Sequence, residues 1–351
     1  MKNYALYFMP DISGFTNFVT NTEVEHSKHI ISELLEILID SNIIDLKLVE
    51  IEGDALFMYT TEIPQFDHLI EQSKKMLSAF STYLNLYNTN RICECGACTT
   101  AHNLQVKFII HYGEIAYIRV KDIVKPYGGD VIKIHRFLKN SIPSNQYLLI
   151  SKETIDYYEQ TLDNSEFEEK ADHYDFGISH YYFKELESEK AIKRPALKKP
   201  AYEPQIDMQI TIPGNVNQVY QFISDFKVRT SWYKLIDRLD YDEFRINRIG
   251  TTHNCISGSD IFKVETLGDR SKTNNSLVYG ERTADIKNLD LYSYYLTVQQ
   301  KEQNYSVLKA EVYLDFKPIE EVQKKEIIKN LEEAWKLSLS CLEVEMIKEN
   351  F

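Results

Sequence analysis

The chain has 351 residues, a formal net charge of −13 at pH 7 and 43% hydrophobic residues. It is long enough for two domains with separate cores. The acidic balance excludes general nucleic-acid binding, because counterion release requires clustered Lys and Arg. No apolar run reaches the length of a membrane span, and the N-terminus lacks a basic region followed by an apolar core. We therefore expect a cytoplasmic protein without a membrane span.

The first segments of the chain predict a strand, a helix and a second strand. Residues 4–9 and 46–51 are apolar enough for strands with a buried face, and residues 23–40 repeat apolar side chains at helical spacing. Asp11 and Asp54 follow these two strands. The pattern therefore predicts an aspartate just past the end of each strand.

Two carboxylates at neighbouring strand ends can bind Mg²⁺ or Mn²⁺ against a triphosphate, because these hard cations prefer oxygen ligands. The turn at residues 13–16 leads into a helix, so its backbone N–H groups can hold phosphate oxygens, and Gly14 permits a close approach. The alternative is purely structural. In that case Asp11 caps a helix, and Gly53 and Asp54 form only a turn.

Four segments of the N-terminal half carry a family resemblance. They are Asp-Ile-Ser-Gly-Phe-Thr at 11–16, Glu-Gly-Asp-Ala at 52–55, a strand at 104–114 that contains His-Tyr-Gly, and a Gly-rich turn running to an arginine at 127–136. Together and in this order they resemble the catalytic domain of class III nucleotidyl cyclases. The resemblance covers about residues 1–187 and implies a cyclase-like, ferredoxin-type α/β sandwich.

The resemblance also implies functional residues. In that family, two aspartates and a backbone carbonyl hold two Mg²⁺ or Mn²⁺ ions, and the following turn contacts a nucleoside triphosphate. The metal ligands implied here are Asp11, Ile12 and Asp54. The nucleotide contacts implied by the turn are Gly14, Phe15 and Thr16.

The helix after the Gly-rich turn matches the family at one position and departs from it at another. Arg136 occupies the position of an arginine that stabilises charge in the transition state, and its forked donors suit that role. A surface ion pair is the structural alternative for Arg136. Ile132 stands where the family has an asparagine that orients the ribose. A catalytically degenerate, nucleotide-binding regulator is therefore an alternative function.

Two positions bear on the choice of base. Glu50 occupies the base-selecting position of the family, and a carboxylate there accepts hydrogen bonds from guanine. The facing position is Lys125, which departs from the family patterns and can pair with Glu50 instead. GTP is favoured, while ATP and pyrimidine nucleotides remain open.

The leading hypothesis is a metal-dependent nucleotidyl cyclase that forms a cyclic 3′,5′ nucleotide and pyrophosphate. Members of the family act as head-to-tail dimers in which one protomer supplies the aspartates and the other supplies the arginine. The resemblance therefore implies a homodimer whose active site contains residues of both copies.

A cluster of cysteines lies at residues 93–98, with a histidine shortly after it. Cys93, Cys95, Cys98 and His102 place three thiols and an imidazole within a short segment. Four such ligands suit a tetrahedral Zn²⁺, and a complete set with no open position indicates a structural rather than a catalytic ion. Free cysteines in a reduced loop and a redox role are the alternatives.

A boundary follows at residues 188–204, where Lys and Arg alternate with Pro, as in a solvated linker. A basic strip that docks on an acidic neighbour is the alternative. Residues 205–351 predict a strand, a short helix, several antiparallel strands and a long amphipathic helix over 320–348. This order resembles the START-like helix-grip fold, which implies an α+β domain with an apolar cavity. A lipid or other apolar small-molecule binding protein is thus a further alternative.

Overall fold

The computed structural model describes residues 3–93, 95–160, 162–163, 165–187, 197–269 and 276–349. The chain divides into two compact units. The first comprises Met1–Asn88 and Cys95–Ile192, and the second comprises Thr89–Glu94 and Lys193–Phe351. None of the helices in these described ranges combines the length and the apolar character that a bilayer crossing requires.

Strands and helices alternate irregularly along the first unit. Its strands are β1 (Asn3–Ser13), β2 (Lys47–Glu52), β3 (Ala55–Thr60), β4 (Gln105–Val120), β5 (Ile123–Tyr127), β6 (Tyr147–Ser151), β7 (Glu168–Tyr174) and β8 (Gly177–Glu185). Its helices are α1 (Phe15–Asn21), α2 (Val24–Asp40), α3 (Phe66–Asn90), α4 (Gly96–Thr100), α5 (Gly129–Phe137) and α6 (Lys152–Tyr158). The mixed α and β character expected from the sequence is present.

The sheet of this unit is built around β1 and β4. The strand order is β2-β3-β1-β4-β6-β8-β7, with β5 paired to β4. Residues 5–9 of β1 are fully buried one after another, so both faces of the strand are covered. The sequence predicted that the first strand ends before Asp11. This prediction is wrong, because pairing with β4 extends β1 to Ser13. Asp11 therefore lies within the paired end of the strand, opposite Lys107.

The start of α5 is anchored to β4 by Asp130. One oxygen of this carboxylate accepts from the backbone N–H of Glu114 at 2.7 Å, and the other lies 3.0 Å from Nε2 of His111. Burial opposes ionisation, but the hydrogen bond with His111 keeps the pKa of Asp130 below its usual value. A Cβ at Gly113 would lie 2.3 Å from Cγ of Asp130, so only glycine fits there. The helix that carries Arg136 is thus tied to the central strand.

The second unit is a seven-stranded sheet with three α-helices among the described residues. Its strands are β9 (Ile206–Pro213), β10 (Arg238–Asp240), β11 (Thr252–Ser257), β12 (Asp260–Asp269), β13 (Ser276–Thr283), β14 (Leu289–Glu302) and β15 (Tyr305–Phe316). Its helices are α7 (Val216–Ser224), α8 (Arg229–Trp232) and α9 (Glu321–Glu349). The sheet order is β10-β11-β12-β13-β14-β15-β9, and every pairing is antiparallel.

The element order of the second unit matches the sequence-based expectation. The last helix buries Trp335, Leu339 and Leu342 in a core shared with the sheet. The strands that follow α8 begin at Arg238, and Phe244 is exposed in a turn between β10 and β11. The START-like assignment itself stays a prediction.

A fully buried ion pair lies inside the second unit. Arg229 donates to Glu281 at 2.7 Å and also donates to the hydroxyls of Tyr279 and Tyr294. Both tyrosines in turn donate to Glu281. Burial disfavours the carboxylate, yet the Arg229 charge keeps the pKa of Glu281 below its usual value. A buried ion pair requires additional hydrogen bonds to offset its lost hydration, and both charged groups accept or donate such bonds here.

Residues 188–196 of the expected linker lie outside the described residues. In the described remainder, Lys199 forms an ion pair with Glu311, Tyr202 donates to Asp315 and Leu197 packs beside Tyr295. The segment 197–204 therefore contacts the sheet of the second unit at these three side chains, while residues 198 and 201–203 are exposed to solvent. The ion pair of Lys199 with Glu311 agrees with the alternative in which a basic strip docks on an acidic neighbour.

Candidate functional site

The candidate metal site lies where β1 meets the turn between β2 and β3. Asp11 is buried, and its carboxylate forms an ion pair with Nζ of Lys107 at 2.9 Å. The backbone N–H of Ile12 donates to the carbonyl of Asp54 at 3.1 Å, which fixes the turn against β1. Gly53 has a φ of 70°, a conformation that glycine adopts readily in a two-residue turn. The fold therefore brings Asp11 and Asp54 together, as the sequence predicted.

The two carboxylates interact strongly. Burial raises the pKa of Asp54 to about 6, and the charge of Asp11 and a hydrogen bond with it add to the effect. Burial alone would lower the pKa of Lys107. The charge of Asp11 and a hydrogen bond with it together outweigh burial, so the pKa of the lysine is raised. Asp54 therefore keeps its proton to a higher pH than an ordinary aspartate, because its charged form would lie beside the charge of Asp11. A bound cation would offset this repulsion.

A polar side chain without a partner lies on the same face of β1. Ser13 is two residues after Asp11, so both side chains point to one side of the sheet. The Ser13 hydroxyl is buried, and no hydrogen bond satisfies it among the described residues. An oxygen of a ligand at the aspartates could satisfy it. Sequence reasoning included Ser13 only through the backbone N–H groups of its turn, and it did not single out Lys107.

The predicted nucleotide turn has the expected shape. Gly14 has a φ of 89° and ends the strand, and α1 begins at Phe15. The first backbone N–H groups of a helix have no acceptor within the helix. The ring of Phe15 lies beside Gly53, because a Cβ there would be 3.9 Å from it. Nucleotide contact by Gly14, Phe15 and Thr16 stays a prediction, as does metal ligation by the carbonyl of Ile12.

Arg136 makes a local ion pair. Its guanidinium donates to Asp175 at 2.9 Å, and both side chains are about half exposed. This is the surface ion pair that the sequence left open as an alternative. Ile132 on the same helix is 54% exposed, so an aliphatic side chain stands in solvent where the resemblance places a ribose contact.

Glu50 and Lys125 are in contact. Nζ of Lys125 lies 2.5 Å from Oε2 of Glu50, and both side chains are partly exposed. The pairing that the sequence allowed for this departure from the family is therefore present. Recognition of a base by these two residues stays a prediction.

The three clustered cysteines meet a different histidine from the one that their spacing suggested. One ligand atom each from His26, Cys93, Cys95 and Cys98 lies within 4.8 Å of the others. His102 is exposed in a short 3₁₀ turn and does not belong to this group. His26 is on α2, far from the cysteines in sequence, so no local spacing could have indicated it.

A protein family described as a protein of unknown function (DUF2652) matches residues 31–147. An uncharacterized protein of Mycobacterium tuberculosis is 34% identical over 134 residues, which cover 38% of this chain and 61% of that protein. The matched region thus spans about three fifths of this curated relative. Neither description names an activity.

Solved structures similar to this chain include cyclase domains. The guanylate cyclase domain of RhGC from Catenaria anguillulae, in complex with GTP, is 16% identical with a TM-score of 0.38, covering 52% of this chain and 96% of that chain. A bacterial light-regulated adenylyl cyclase is 16% identical with a TM-score of 0.40, covering 52% of each chain. The structural neighbours over about half of the chain are thus adenylyl and guanylyl cyclases. At these identities and TM-scores they assign no activity, ligand or substrate to this protein.

Asp54→Asn should stabilise the protein above pH 6. The folded pKa of about 6 exceeds the ordinary aspartate pKa of 3.8, so stability falls as pH rises through this window and stays lower above it. Asn cannot ionise and escapes this loss. We expect a gain on the order of 1 kcal/mol at about pH 8, after allowance for partial exposure, and none near pH 4.

Thermal unfolding followed by circular dichroism at several pH values measures this effect. Asp67→Asn, which changes an exposed aspartate of α3, is the matched control and should show no pH-dependent gain. An Asp54→Asn variant with the same stability difference at both ends of the pH range would contradict the coupled carboxylates.

Proposed function

We propose that the first unit is a metal-dependent nucleotidyl cyclase domain. It converts a nucleoside triphosphate to a cyclic 3′,5′ monophosphate and pyrophosphate. The observation that carries this proposal is the coupled pair of Asp11 and Asp54, held beside Lys107 at the end of a buried sheet face. The resemblance of residues 11–16 and 52–55 to cyclase motifs supplies the reaction class.

The donor set fits Mg²⁺ or Mn²⁺. It consists of carboxylate oxygens from Asp11 and Asp54, with the carbonyl of Ile12 and the hydroxyl of Ser13 nearby in sequence, and hard divalent cations prefer such oxygens. When bound, two such ions lower the pKa of a ribose hydroxyl and neutralise phosphate charge. Lys107 orients the carboxylate of Asp11 through their ion pair. Asp54 loses its proton before it can serve as a ligand.

The turn after β1 and the helix α5 contribute the remaining groups. Backbone N–H groups at residues 14–16 hold phosphate oxygens. Arg136 exchanges its pairing with Asp175 for the nucleotide of a second copy, so the active species is a homodimer. The exchange costs little, because exposed ion pairs contribute only about 0 to 1 kcal/mol. If Glu50 leaves Lys125 to accept from a base, guanine is favoured, with adenine and pyrimidines as alternatives.

Ile132 supports a second form of this proposal. An aliphatic side chain cannot hydrogen-bond a ribose, and this one is 54% exposed on α5. A domain that binds nucleoside triphosphate with metal but does not turn it over would serve as a regulator. Cyclic product separates the two forms, because the regulator binds the same ligands without forming it.

A cavity in the second unit favours a second function, the binding of a small apolar molecule. The cavity has a volume of about 210 Å³. Its apolar walls are formed by Leu235, Ile236, Phe262, Val264, Ile286 and Leu331. Tyr292, Tyr294 and Glu281 also line it and supply polar groups. A mainly apolar molecule with one hydroxyl group fits this lining, and the START-like resemblance implies such a ligand.

Purified full-length protein should form cyclic nucleotide from at least one common ribonucleoside triphosphate with Mn²⁺, measured by mass spectrometry. Asp11→Asn and Asp54→Asn should each lower the rate by more than about 100-fold, because each removes a charged metal ligand. Arg136→Ala should lose activity but retain nucleotide binding. Asp67→Asn, on the exposed face of α3, is the matched control and should keep the full rate.

Mixing the Asp54→Asn and Arg136→Ala proteins tests the shared site. Some heterodimers would contain one intact composite site, so part of the rate should return. Lack of recovery despite demonstrated subunit exchange would reject a site shared between copies. Binding of triphosphate and Mn²⁺ by the wild-type protein without any cyclic product would favour the regulator instead.

The cavity of the second unit should bind p-cresol, which has an apolar ring and one hydroxyl. Saturating p-cresol should raise the thermal midpoint of the wild-type protein by a few degrees, because a ligand of the folded state stabilises it. Ile286→Trp should fill the cavity and remove this shift. Ile261→Trp, at a position 63% exposed, should leave it intact. Equal shifts in both variants would contradict binding in the cavity.

A further inference from the structure

We propose that His26, Cys93, Cys95 and Cys98 form a structural zinc site. Their ligand atoms lie within 4.8 Å of one another. A tetrahedral ion with zinc–sulfur bonds of about 2.3 Å and zinc–nitrogen bonds of about 2.0 Å separates its ligand atoms by roughly 3.5 to 3.8 Å. The four ligand atoms therefore lie near enough to one another to close on a single zinc ion.

Measured distances place His26 in the ligand set. Its Nδ1 lies 3.1 Å from Sγ of Cys95 and 3.4 Å from Sγ of Cys98. These separations are close to those of two ligands on one tetrahedral ion. The exposed position of His102 excludes it from the same set in this structure.

The loop that carries the cysteines is held against the start of α2. Oε2 of Glu23 accepts from the backbone N–H of Ala97 at 3.1 Å. A Cβ at Gly96 would lie 3.1 Å from the same oxygen, so glycine lets the loop approach closely. Glu23 occupies the N-cap position of α2, the helix on which His26 lies. The position of the histidine beside the thiols is thus set by contacts other than those of the site itself.

Local hydrogen bonds also orient the sulfur atoms. Sγ of Cys95 accepts from the backbone N–H of Cys98 at 3.5 Å, and the hydroxyl of Tyr87 lies 3.0 Å from Sγ of Cys98. Such supporting contacts hold metal ligands in place. None of the cysteines is in a disulfide, and Cys93 and Cys98 are buried. Three thiolates and one imidazole complete a tetrahedral shell, which indicates a structural ion.

A second group of converging ligands serves as a contrast. His253, Cys255 and Glu281 are also close together in the second unit. Arg229 already neutralises Glu281 at 2.7 Å, and its charge would repel a cation. Burial also raises the pKa of the Cys255 thiol to about 12, which disfavours a thiolate. An arginine beside the ligands and a protonated thiol therefore make this second group a poor metal site.

Metal analysis of full-length protein prepared without chelator tests the site. We expect about one zinc per chain in the wild-type protein and less than about a tenth of that in His26→Ala. His102→Ala is the matched control and should keep the full zinc content. His26→Cys should also keep it, because a fourth thiolate replaces the imidazole, and this variant separates loss of a ligand from misfolding.

The visible spectrum of the Co²⁺-substituted protein gives an independent readout, since tetrahedral thiolate coordination has a characteristic absorption. Wild-type protein without zinc after dialysis against Zn²⁺ would overturn the site. Zinc retained in His26→Ala but lost in His102→Ala would overturn the assignment of His26. Asp54→Asn should keep its zinc, so this result does not depend on cyclase activity.

Discussion

The candidate site of the first unit depends on two carboxyl groups that the fold holds close together despite their mutual repulsion. Asp11 and Asp54 lie close enough that burial and mutual repulsion raise the pKa of Asp54 to about 6. Two features hold them there, namely the pairing of β1 with β4 and the backbone bond from Ile12 to Asp54. The fold keeps this pair although it lowers stability at neutral pH. Such an arrangement is typical of a functional site.

The rest of the first unit makes this arrangement rigid. Residues 5–9 of β1 are buried on both faces of the sheet. The strand that carries Asp11 therefore cannot shift its register without exposing core side chains. Asp130 connects α5 to the neighbouring strand through His111 and the space left by Gly113. The proposed zinc ion would connect α2 to the loop before β4, which carries Lys107. A catalytic site gains precision from such supports.

The sequence predicted the features that local patterns encode. Apolar runs and helical spacing located most strands and helices, and short motifs located Asp11 and Asp54. Partners set by tertiary pairing were not predictable in this way. In the sequence, Lys107 is one residue of a predicted strand, and only the pairing of β1 with β4 places it opposite Asp11. His26 is likewise distant in sequence from the thiols that lie beside it. The need for glycine at position 113 is also visible only in the folded chain, where α5 packs against β4 and Asp130 occupies the space of a Cβ.

Mn²⁺ binding as a function of pH tests the central claim most directly, with free Mn²⁺ measured by electron paramagnetic resonance. A ligand pKa of about 6 requires loss of a proton on binding, so affinity should fall about tenfold between pH 7 and pH 5. Mn²⁺ prefers oxygen ligands to thiolates, so its binding reports on the carboxylates rather than on the cysteine cluster. Affinity that does not change with pH, or that persists in a variant lacking both carboxylates, would contradict a metal site at Asp11 and Asp54.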